Sequence, residues 1–216
     1  MKKFELTSET KINIFGKKLF RIKALISFAD VEAGETGGWV EKEGNVNQYG
    51  NAWVYGDAMV YGNAMVYGNA MVSGNAMVHG DAMVSGDAMV YGNAWVYGNA
   101  WVSGNAMVYG DAMVYGNAMV SGNAMVHGDA MVYGDAMVSG DAMVHGDADY
   151  TTIHGFGTQF RTTTFFRCKD KKVRVACGCF FGTIPEFREQ VKNTRKGKIA
   201  EEYLMIADLM ENHFEK

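Results

Sequence analysis

Residues 91–128 read YGNAWVYGNAWVSGNAMVYGDAMVYGNAMVSGNAMVHG, and the six-residue unit within them decides the fold. Glycine stands at position 44 and at every sixth position through 146, with no insertion. Asn or Asp follows each glycine, and in nearly every unit Ala, then Met or Trp, then Val come next. A fixed six-residue period with small and β-branched residues is typical of a parallel β-helix, in which each repeat packs on its neighbours.

Strand geometry separates the side chains of one unit into an inner and an outer set. Ala and Val point to one side, whereas Met or Trp and the next Tyr, Ser or His point to the other. A narrow coil has room for one small and one β-branched side chain, but not for Met and Tyr. We therefore predict that Ala and Val lie inside. The Gly-Asn or Gly-Asp pair is expected at each corner, because both residue types tolerate left-handed backbone.

The position before each glycine indicates how many units complete one coil. Ser85, Ser103, Ser121 and Ser139 recur at a spacing of 18 residues, while Tyr and His dominate the two other series. We predict three units per coil and about six coils, which at roughly 4.8 Å per coil gives a rod on the order of 29 Å long. The predicted fold class is all-β, a single-stranded parallel β-helix. Left-handed winding is favoured by likeness to hexapeptide-repeat proteins, since the right-handed crossover rule does not predict it.

Residues 1–48 and 150–216 are predicted to be caps at the two ends of a solenoid formed by residues 49–149. The open strand edges of the first and last coils need covering. In the N-terminal cap, glycines at positions 34, 37 and 38 predict a tight bend. The ring of Trp39 is expected to plug the open interior of the first coil.

The C-terminal segment is predicted to be a small α+β cap. Arg161–Cys168 and Lys172–Cys177 alternate like the two strands of a hairpin. Thr183-Ile184-Pro185-Glu186 has the pattern of a capping box with proline in the first turn, so a helix is expected from there to about position 193. A second helix is expected over residues 199–214. Its apolar face is assigned to Tyr203, Ile206, Leu209, Met210 and Phe214.

Several segments resemble a family of bacterial and prophage hexapeptide-repeat proteins related to the YdcK protein. Phe28 to Val40, followed by Gln48 and Trp53, resembles the opening segment of that family. Gly178-Cys179-Phe180 and Gly182-Thr183 resemble a C-terminal module of prophage members. The resemblance implies a β-helix, often classed as a transferase on fold alone, with no established activity. This sequence departs from the family by filling the variable outward position with Met.

Charge is divided unevenly along the chain. Residues 49–149 hold nine Asp and no Lys or Arg, whereas residues 150–216 hold twelve basic and eight acidic residues. Because the solenoid has no cations to neutralise phosphates, nucleic-acid binding along it is disfavoured. No apolar run has the length of a signal peptide or a membrane span. We expect a cytoplasmic location, in the host if the chain is phage encoded, and the odd number of cysteines also suits a reducing compartment.

The outward positions form the candidate interaction surface. Thirteen of the sixteen methionines occupy one outward strand position, where Trp also occurs. Contiguous exposed apolar surface usually marks an interaction site, and Met adapts to partners of varied shape. A by-product of repeat duplication and a site for a lipid or hydrophobic ligand are the alternatives. The residues assigned to this surface are Met107, Met113, Met119, Trp95, Trp101, Tyr109 and Tyr115.

The corner carboxylates are a weaker candidate, for a cation. Asp111, Asp129 and Asp147 fall 18 residues apart in one series, so they are expected to stack on successive coils. Repulsion among them would favour a divalent cation. Asp and Asn interchange freely at these corners, however, which turn chemistry alone would produce. No metal and no cofactor are predicted.

The histidines and cysteines are interpreted as structural. Hexapeptide acyltransferases use a histidine as general base together with projecting loops, which this uninterrupted repeat lacks. The outward histidines, expected to be interchangeable surface residues, are His79, His127 and His145. The cysteines lack the usual spacing of zinc ligands and are expected to be buried thiols. They are Cys168, Cys177 and Cys179.

The sequence favours a non-enzymatic β-solenoid from a phage or prophage, acting as an assembly or binding module through its Met, Tyr and Trp ladders. A homo-oligomer is expected, with a protein partner as a further option. One alternative is an acyl- or nucleotidyltransferase-like trimer with a site between the rods, which should bind an acyl or nucleotide donor. A sponge for a small signalling molecule is the second alternative.

Overall fold

The computed structural model describes residues 1–215 as a parallel β-solenoid with additional elements at both ends. Strands β1 (Phe4–Ile12) and β2 (Lys18–Ala24) form an antiparallel hairpin, and β3 (Thr36–Val40) leads from it into the first coil. Single-turn 3₁₀ helices lie at Glu43–Asn45 and Asp147–Asp149. The prediction of a parallel β-solenoid of about six coils is confirmed.

Each repeat unit of the solenoid contributes a two-residue strand with the sequence Met-Val or Trp-Val. In chain order these strands are β4 (Trp53–Val54), β5 (Met59–Val60), β6 (Met65–Val66), β7 (Met71–Val72), β8 (Met77–Val78), β9 (Met83–Val84), β10 (Met89–Val90), β11 (Trp95–Val96), β12 (Trp101–Val102), β13 (Met107–Val108), β14 (Met113–Val114), β15 (Met119–Val120), β16 (Met125–Val126), β17 (Met131–Val132), β18 (Met137–Val138) and β19 (Met143–Val144). Each pairs in parallel with strands 18 residues away, as Met59 does with Met77.

Three sheets wall the solenoid, and their order follows from this pairing. One sheet runs β3-β5-β8-β11-β14-β17 and is extended by the β1-β2 hairpin. The second runs β4-β7-β10-β13-β16-β19, and the third runs β6-β9-β12-β15-β18. Consecutive strands of the chain therefore belong to different sheets, and every third strand returns to the same one.

Alanine and valine fill the interior, as predicted. The Ala of every unit from Ala52 to Ala142 and the Val of every unit from Val54 to Val144 are 0% exposed. Burying each methylene equivalent stabilises the fold by about 0.8 kcal/mol. Because the inward positions hold only these short side chains, the coil stays narrow and the longer Met and Trp side chains remain outside.

Glycine makes each corner possible in two ways. Gly98 has a φ of +69°, in the left-handed region, and a Cβ built on it would lie 3.0 Å from the backbone N of Gly116 in the next coil. The corner Asn and Asp residues do not share this conformation. Within residues 1–215, the only non-glycine residues with positive φ are Ala29, Phe160 and Lys171. The expected left-handed tolerance of Asn and Asp is therefore not used at the corners.

The corner Asn side chains instead link successive coils through one-way hydrogen bonds. Asn75 Nδ2 donates to Asn93 Oδ1 (3.2 Å), and Asn93 Nδ2 donates to Asp111 Oδ1 (2.9 Å). A carboxylate has no proton to donate, so each Asp ends such a run. In this series Asp129 and Asp147 follow on the next two coils, where no amide can continue the chain.

The backbone hydrogen bonds that flank the two-residue strands of successive coils also run in one direction. The N–H of Met59 donates to the carbonyl of Ala76 (2.9 Å), and the N–H of Met77 donates to the carbonyl of Ala94 (2.9 Å). The first coil therefore presents carbonyls with no preceding coil to pair them, and the last coil presents N–H groups. Buried backbone groups without partners are costly, so the two ends need opposite chemistries.

Donors from the N-terminal segment satisfy the carbonyls of the first coil. The ammonium of Lys3 donates to two of them, at 3.2 Å and 2.8 Å, and burial lowers the pKa of Lys3 to about 8. Asn45, which is 0% exposed, donates through Nδ2 to the carbonyls of Gly62 (3.1 Å) and Ala64 (2.8 Å). Arg21 Nη1 donates to a corner carbonyl of the same coil (3.0 Å).

Acceptors satisfy the N–H groups of the last coil. The N–H of Met131 donates to Asp147 Oδ1 (3.1 Å), and the N–H of Met137 donates to Thr164 Oγ1 (3.0 Å). Asp149 Oδ2 accepts a third such bond, from the residue after β19 (3.0 Å). Cationic and amide side chains thus donate hydrogen bonds to the carbonyls at the first coil. Carboxylates and a hydroxyl accept hydrogen bonds from the N–H groups at the last coil.

Trp39 does not plug the interior, which corrects the sequence-based expectation. It occupies the outward position of β3, paired with Met59, and the guanidinium of Arg21 lies 4.8 Å from its ring. The next residue along the strand points inward, because side chains alternate. Phe4 and Ile22 of the hairpin, both 0% exposed, join the core of the solenoid at this end instead.

The C-terminal module is a four-stranded antiparallel sheet with two helices. Its elements are β20 (Tyr150–Phe156), β21 (Arg161–Arg167), β22 (Val173–Cys177), β23 (Phe180–Thr183), α1 (Ile184–Thr194) and α2 (Gly197–Phe214). The predicted hairpin corresponds to β21 and β22, and the outer strands β20 and β23 were missed. Both contain glycine, which weakens a strand pattern.

The two helices begin and end close to their predicted limits. Thr183 caps α1 as predicted: its Oγ1 accepts from the N–H of Glu186 (3.3 Å), whose Oε2 accepts from the N–H of Thr183 (2.7 Å). Leu209 is 60% exposed, so its assignment to the apolar face of α2 is wrong. The buried face consists of Tyr203, Ile206, Ala207, Met210 and Phe214. No helix within residues 1–215 is long and apolar enough to cross a membrane.

Replacing Asn45 with Ala should destabilise the first coil. The change leaves two buried carbonyls without donors, and one unsatisfied buried group costs about 1–3 kcal/mol, so we expect the free energy of unfolding in urea to fall by about 2 kcal/mol. The matched control is Asn47→Ala, an exposed position whose side chain accepts only from the N–H of Tyr49 (2.8 Å). It should change stability by less than about 0.5 kcal/mol. Coincident unfolding curves for Asn45→Ala and wild type, followed by circular dichroism, would contradict this role.

Replacing Asp129 with Asn should stabilise the solenoid at low salt. The substitution removes repulsion from carboxylates on both adjacent coils, and two charges about 4 Å apart in water repel by about 1 kcal/mol. We expect a gain of that size in unfolding free energy at about 0.01 M salt, shrinking at about 1 M. Asp135→Asn removes the same charge at a corner that accepts from Asn117 (2.8 Å), and should gain less. Equal gains for both variants would assign the effect to net charge alone.

Candidate interaction surface

The outward Met and Trp side chains lie on three separate faces. We call the face formed by β6, β9, β12, β15 and β18 the serine face, because Ser follows Val in four of its five units. The tyrosine face is formed by β5, β8, β11, β14 and β17, where Tyr or His follows Val. The mixed face is formed by β4, β7, β10, β13, β16 and β19, where Tyr, Ser or His follows Val.

Aromatic ladders cover much of the tyrosine and mixed faces. Tyr97 and Tyr115 stack with ring centroids 4.9 Å apart and planes 2° apart. Tyr91 and Tyr109 stack in the same way on the mixed face, at 4.8 Å. Phe15, from the turn between β1 and β2, lies over the tyrosine face with its ring 6.3 Å from the indole of β11. These rings shield the Met and Trp side chains beside them.

Small hydroxyl side chains replace the rings in four of the five units of the serine face, and three of its five outward Met and Trp residues are exposed. Met65, Trp101 and Met119 are 44%, 36% and 37% exposed. No outward Met or Trp on the other two faces reaches this exposure within the described chain. The indole Nε1 of Trp101 donates to Ser85 Oγ on the neighbouring coil (3.1 Å), which fixes the ring on this face.

The corners beside these exposed residues carry no charge. Each of the three lies between two Asn corners, whereas Met83 and Met137 of the same face lie between two Asp corners. The Asn residues are Asn63, Asn69, Asn99, Asn105, Asn117 and Asn123. Strands β12 and β15 are adjacent in the sheet, so Trp101 and Met119 form the centre of an uncharged apolar strip.

The seven residues predicted to form the interaction surface are divided among the three faces. Trp101 and Met119 lie on the serine face; Trp95, Met113 and Tyr115 lie on the tyrosine face; Met107 and Tyr109 lie on the mixed face. One partner surface cannot contact all seven. The recurrence of Ser at 18-residue spacing was the sequence signal that distinguishes the serine face from the other two.

The histidines are members of the aromatic ladders. His127 stacks on Tyr109 at 4.9 Å, and its Nδ1 lies 2.9 Å from Nδ1 of His145. Burial and the neighbouring His145 lower the pKa of His127. Burial also lowers the pKa of His79, which stacks between two Tyr rings. This arrangement supports their interpretation as interchangeable ladder residues.

The three cysteines are free thiols in different surroundings. Cys168 is buried, and burial raises the pKa of its thiol to about 11. Cys177 is half-buried and accepts a hydrogen bond from Thr163 Oγ1 (3.1 Å). Cys179 is exposed in the turn between β22 and β23, so only Cys168 fits the expectation of buried thiols.

The candidate cation ligands Asp111, Asp129 and Asp147 lie in one corner series on successive coils, as their spacing indicates. Asp147 already takes part in one hydrogen bond, in which its Oδ1 accepts from the N–H of Met131 (3.1 Å). Within residues 1–215, no three or more His, Cys, Asp or Glu side chains come close enough together to hold a metal ion. The three carboxylates therefore place negative charge at one edge of the solenoid, but in the described chain they do not form a cluster of metal ligands.

The similarity of this chain to a known protein family lies in the solenoid. No curated protein matches the chain. The family model described as "YdcK Beta solenoid repeat" matches residues 58–74, 64–80, 82–98, 100–114, 112–128 and 130–146. These segments run from the unit of β5 to that of β19, and they include the exposed strip of the serine face. Residues 58–146 of the solenoid therefore match the YdcK β-solenoid repeat family, in agreement with the resemblance seen in the sequence.

Proposed function

We propose that this protein is a non-enzymatic β-solenoid that acts as an assembly module, and that two copies associate through the serine face. One observation carries the proposal: the most exposed outward Met and Trp side chains of the solenoid, Met65, Trp101 and Met119, lie on a single face. Contiguous exposed apolar surface usually marks an interaction site. The flexible thioether of Met adapts to a facing surface, and Trp is enriched at the centres of interfaces.

The distribution of charge favours a second copy of this chain as the partner. Residues 49–149 hold nine Asp and no Lys or Arg, so two solenoids repel each other over most of their surfaces. The strip around Trp101 and Met119 is flanked by Asn, so two copies can meet there without bringing carboxylates together. The Asn amides can form hydrogen bonds at the polar rim of such an interface. A basic partner would gain more from the Asp corners elsewhere.

The uninterrupted repeat supports a non-enzymatic role. Glycine recurs at every sixth position through Gly146 with no inserted loop that could grip a substrate. His127 and His145 contact each other and a Tyr ring, in a ladder rather than in a cleft. A general base must instead come within hydrogen-bond reach of a substrate proton.

We also propose the number of units per coil, the handedness of the coil and the limits of the caps. Three six-residue units complete one left-handed coil, and residues 1–48 and 150–216 cap a solenoid of residues 49–149. The pairing of Met59 with Met77 supports this coil length. Hydrogen bonds from Lys3 and to Thr164 at the two end coils support the caps. Handedness and phage or prophage origin rest on the resemblance to hexapeptide-repeat proteins, and the cytoplasmic location rests on the odd, clustered set of cysteines, which suits a reducing compartment.

The combined variant Trp101→Gln/Met119→Gln should abolish self-association. Gln removes the apolar contact and places an amide in the interface, which is costly to bury without partners. We expect the 23.7 kDa chain to sediment as a dimer. The variant should raise the dissociation constant by about 30-fold or more, the effect of losing an interface hot spot. Sedimentation equilibrium measures the association, and circular dichroism verifies that the variant remains folded.

Two matched controls place the same change on the other faces. Met107→Gln on the mixed face and Met113→Gln on the tyrosine face occupy the same strand position, and both should leave the dissociation constant unchanged. A wild-type chain that stays monomeric at every concentration, or controls that dissociate it equally, would refute the proposal. Binding of an acyl or nucleotide donor that is lost in His127→Ala would favour the transferase alternative instead.

A further inference from the structure

Two adjoining cavities lie in the C-terminal module, beside the end of α1 and the turns of its sheet. Their volumes are about 170 Å³ and about 230 Å³, and both are lined by Arg161, Cys177, Arg195 and Tyr203. None of these residues belongs to the solenoid. The two cavities share enough of their walls to be treated as one site, which we call the module cavity.

Two guanidinium groups of the module cavity have no carboxylate partner. The basic side chains that form ion pairs in the described part of this module are Arg167, Arg174, Arg188 and Lys198. Arg161 and Arg195 form no ion pair with residues 1–215. Arg195 Nη1 donates only to the carbonyl of Thr194, at 3.3 Å. Both positive charges at this site are therefore available to an anion.

Tyr203 places a hydroxyl group beside the two guanidiniums. It is 7% exposed, and its OH donates to the carbonyl of Phe156 (3.2 Å). Burial and the neighbouring Cys177 raise the pKa of this phenol, while the positive charges of Arg195 and Arg161 act to lower it. Glu202 also acts on the phenol, but it is paired with Lys198 (3.8 Å).

Apolar side chains form the remaining wall of the module cavity. Phe180, Phe187 and Val191 line it. Phe187 is 3% exposed, and its ring lies 5.4 Å from that of Phe180 and 5.9 Å from that of Tyr203. Ligand sites typically combine such an apolar wall with a few convergent polar groups. Guanidinium groups match carboxylate and phosphate oxygens through paired N–H donors.

We propose that the module cavity binds a small molecule that carries a carboxylate or phosphate head on an apolar body. The head is held between Arg161 and Arg195, where it contacts two positive charges that the described chain leaves unpaired. The body contacts the wall formed by Phe180, Phe187 and Val191. This site is independent of the serine face, so either proposal can fail without the other.

Binding of benzoate and phenyl phosphate to the full chain tests the site. Each probe has an oxyanion head on an aromatic body, whereas benzyl alcohol lacks the charge and inorganic phosphate lacks the body. We expect at least one of the two probes to bind more tightly than both comparison compounds in calorimetric titrations, and their ratio distinguishes a carboxylate from a phosphate ligand. Occupancy should also slow the alkylation of Cys179 by iodoacetamide, because that exposed thiol lines the cavity.

Single substitutions separate the site from the general positive charge of the module. Arg161→Gln and Arg195→Gln should each weaken probe binding by roughly tenfold or more, since each removes charge-assisted hydrogen bonds. Lys196→Gln removes the same charge at an exposed residue outside the cavity wall and should leave binding unchanged. Absence of binding by both probes to the folded wild type, or equal weakening by Lys196→Gln, would overturn the proposal.

Discussion

The hydrogen bonds that flank the strands of successive coils point the same way, so one end of the solenoid is rich in free acceptors and the other in free donors. An interior coil needs nothing beyond its two neighbours, because each satisfies one half of its backbone groups. The end coils need opposite chemistries. Lys3 and Asn45 supply donors at one end, and Thr164 and Asp149 supply acceptors at the other. The two terminal segments are therefore not interchangeable, whereas the number of coils between them is not limited by this constraint.

The repeat sequence was sufficient to predict the parallel solenoid and its inner Ala and Val, because few side chains fit so narrow a coil. Features at the edges were harder to predict. A ring such as Trp39 suits either a plug or an outer face, and only the alternation that turns Val40 inward decides between them. The strands β20 and β23 contain glycine, and helical periodicity did not show that the apolar stripe of α2 excludes Leu209. Exposure on the three faces depends on ring stacking between coils, which a linear pattern does not display.

The corner ladder connects stability with the candidate surface. Asn donates to the next coil and Asp only accepts, so runs of Asn end in Asp, as Asn99 and Asn117 end at Asp135. Such a run gives both continuous hydrogen bonding and an uncharged rim. On the serine face two runs lie on either side of Trp101 and Met119, and the exposed apolar strip coincides with them.

The sheet of the C-terminal module separates the two proposed sites while joining the two cores. Phe166, Cys168 and Ala176 belong to the core of the solenoid, whereas Phe165 and Val175 belong to the core formed with the helices. Alternation along β21 and β22 thus lets one sheet seal the last coil and build a second core on its opposite side. The module cavity belongs to this second core. Coupling between the cavity and the serine face would require the sheet to shift, and a shift would expose the donor end that the sheet covers.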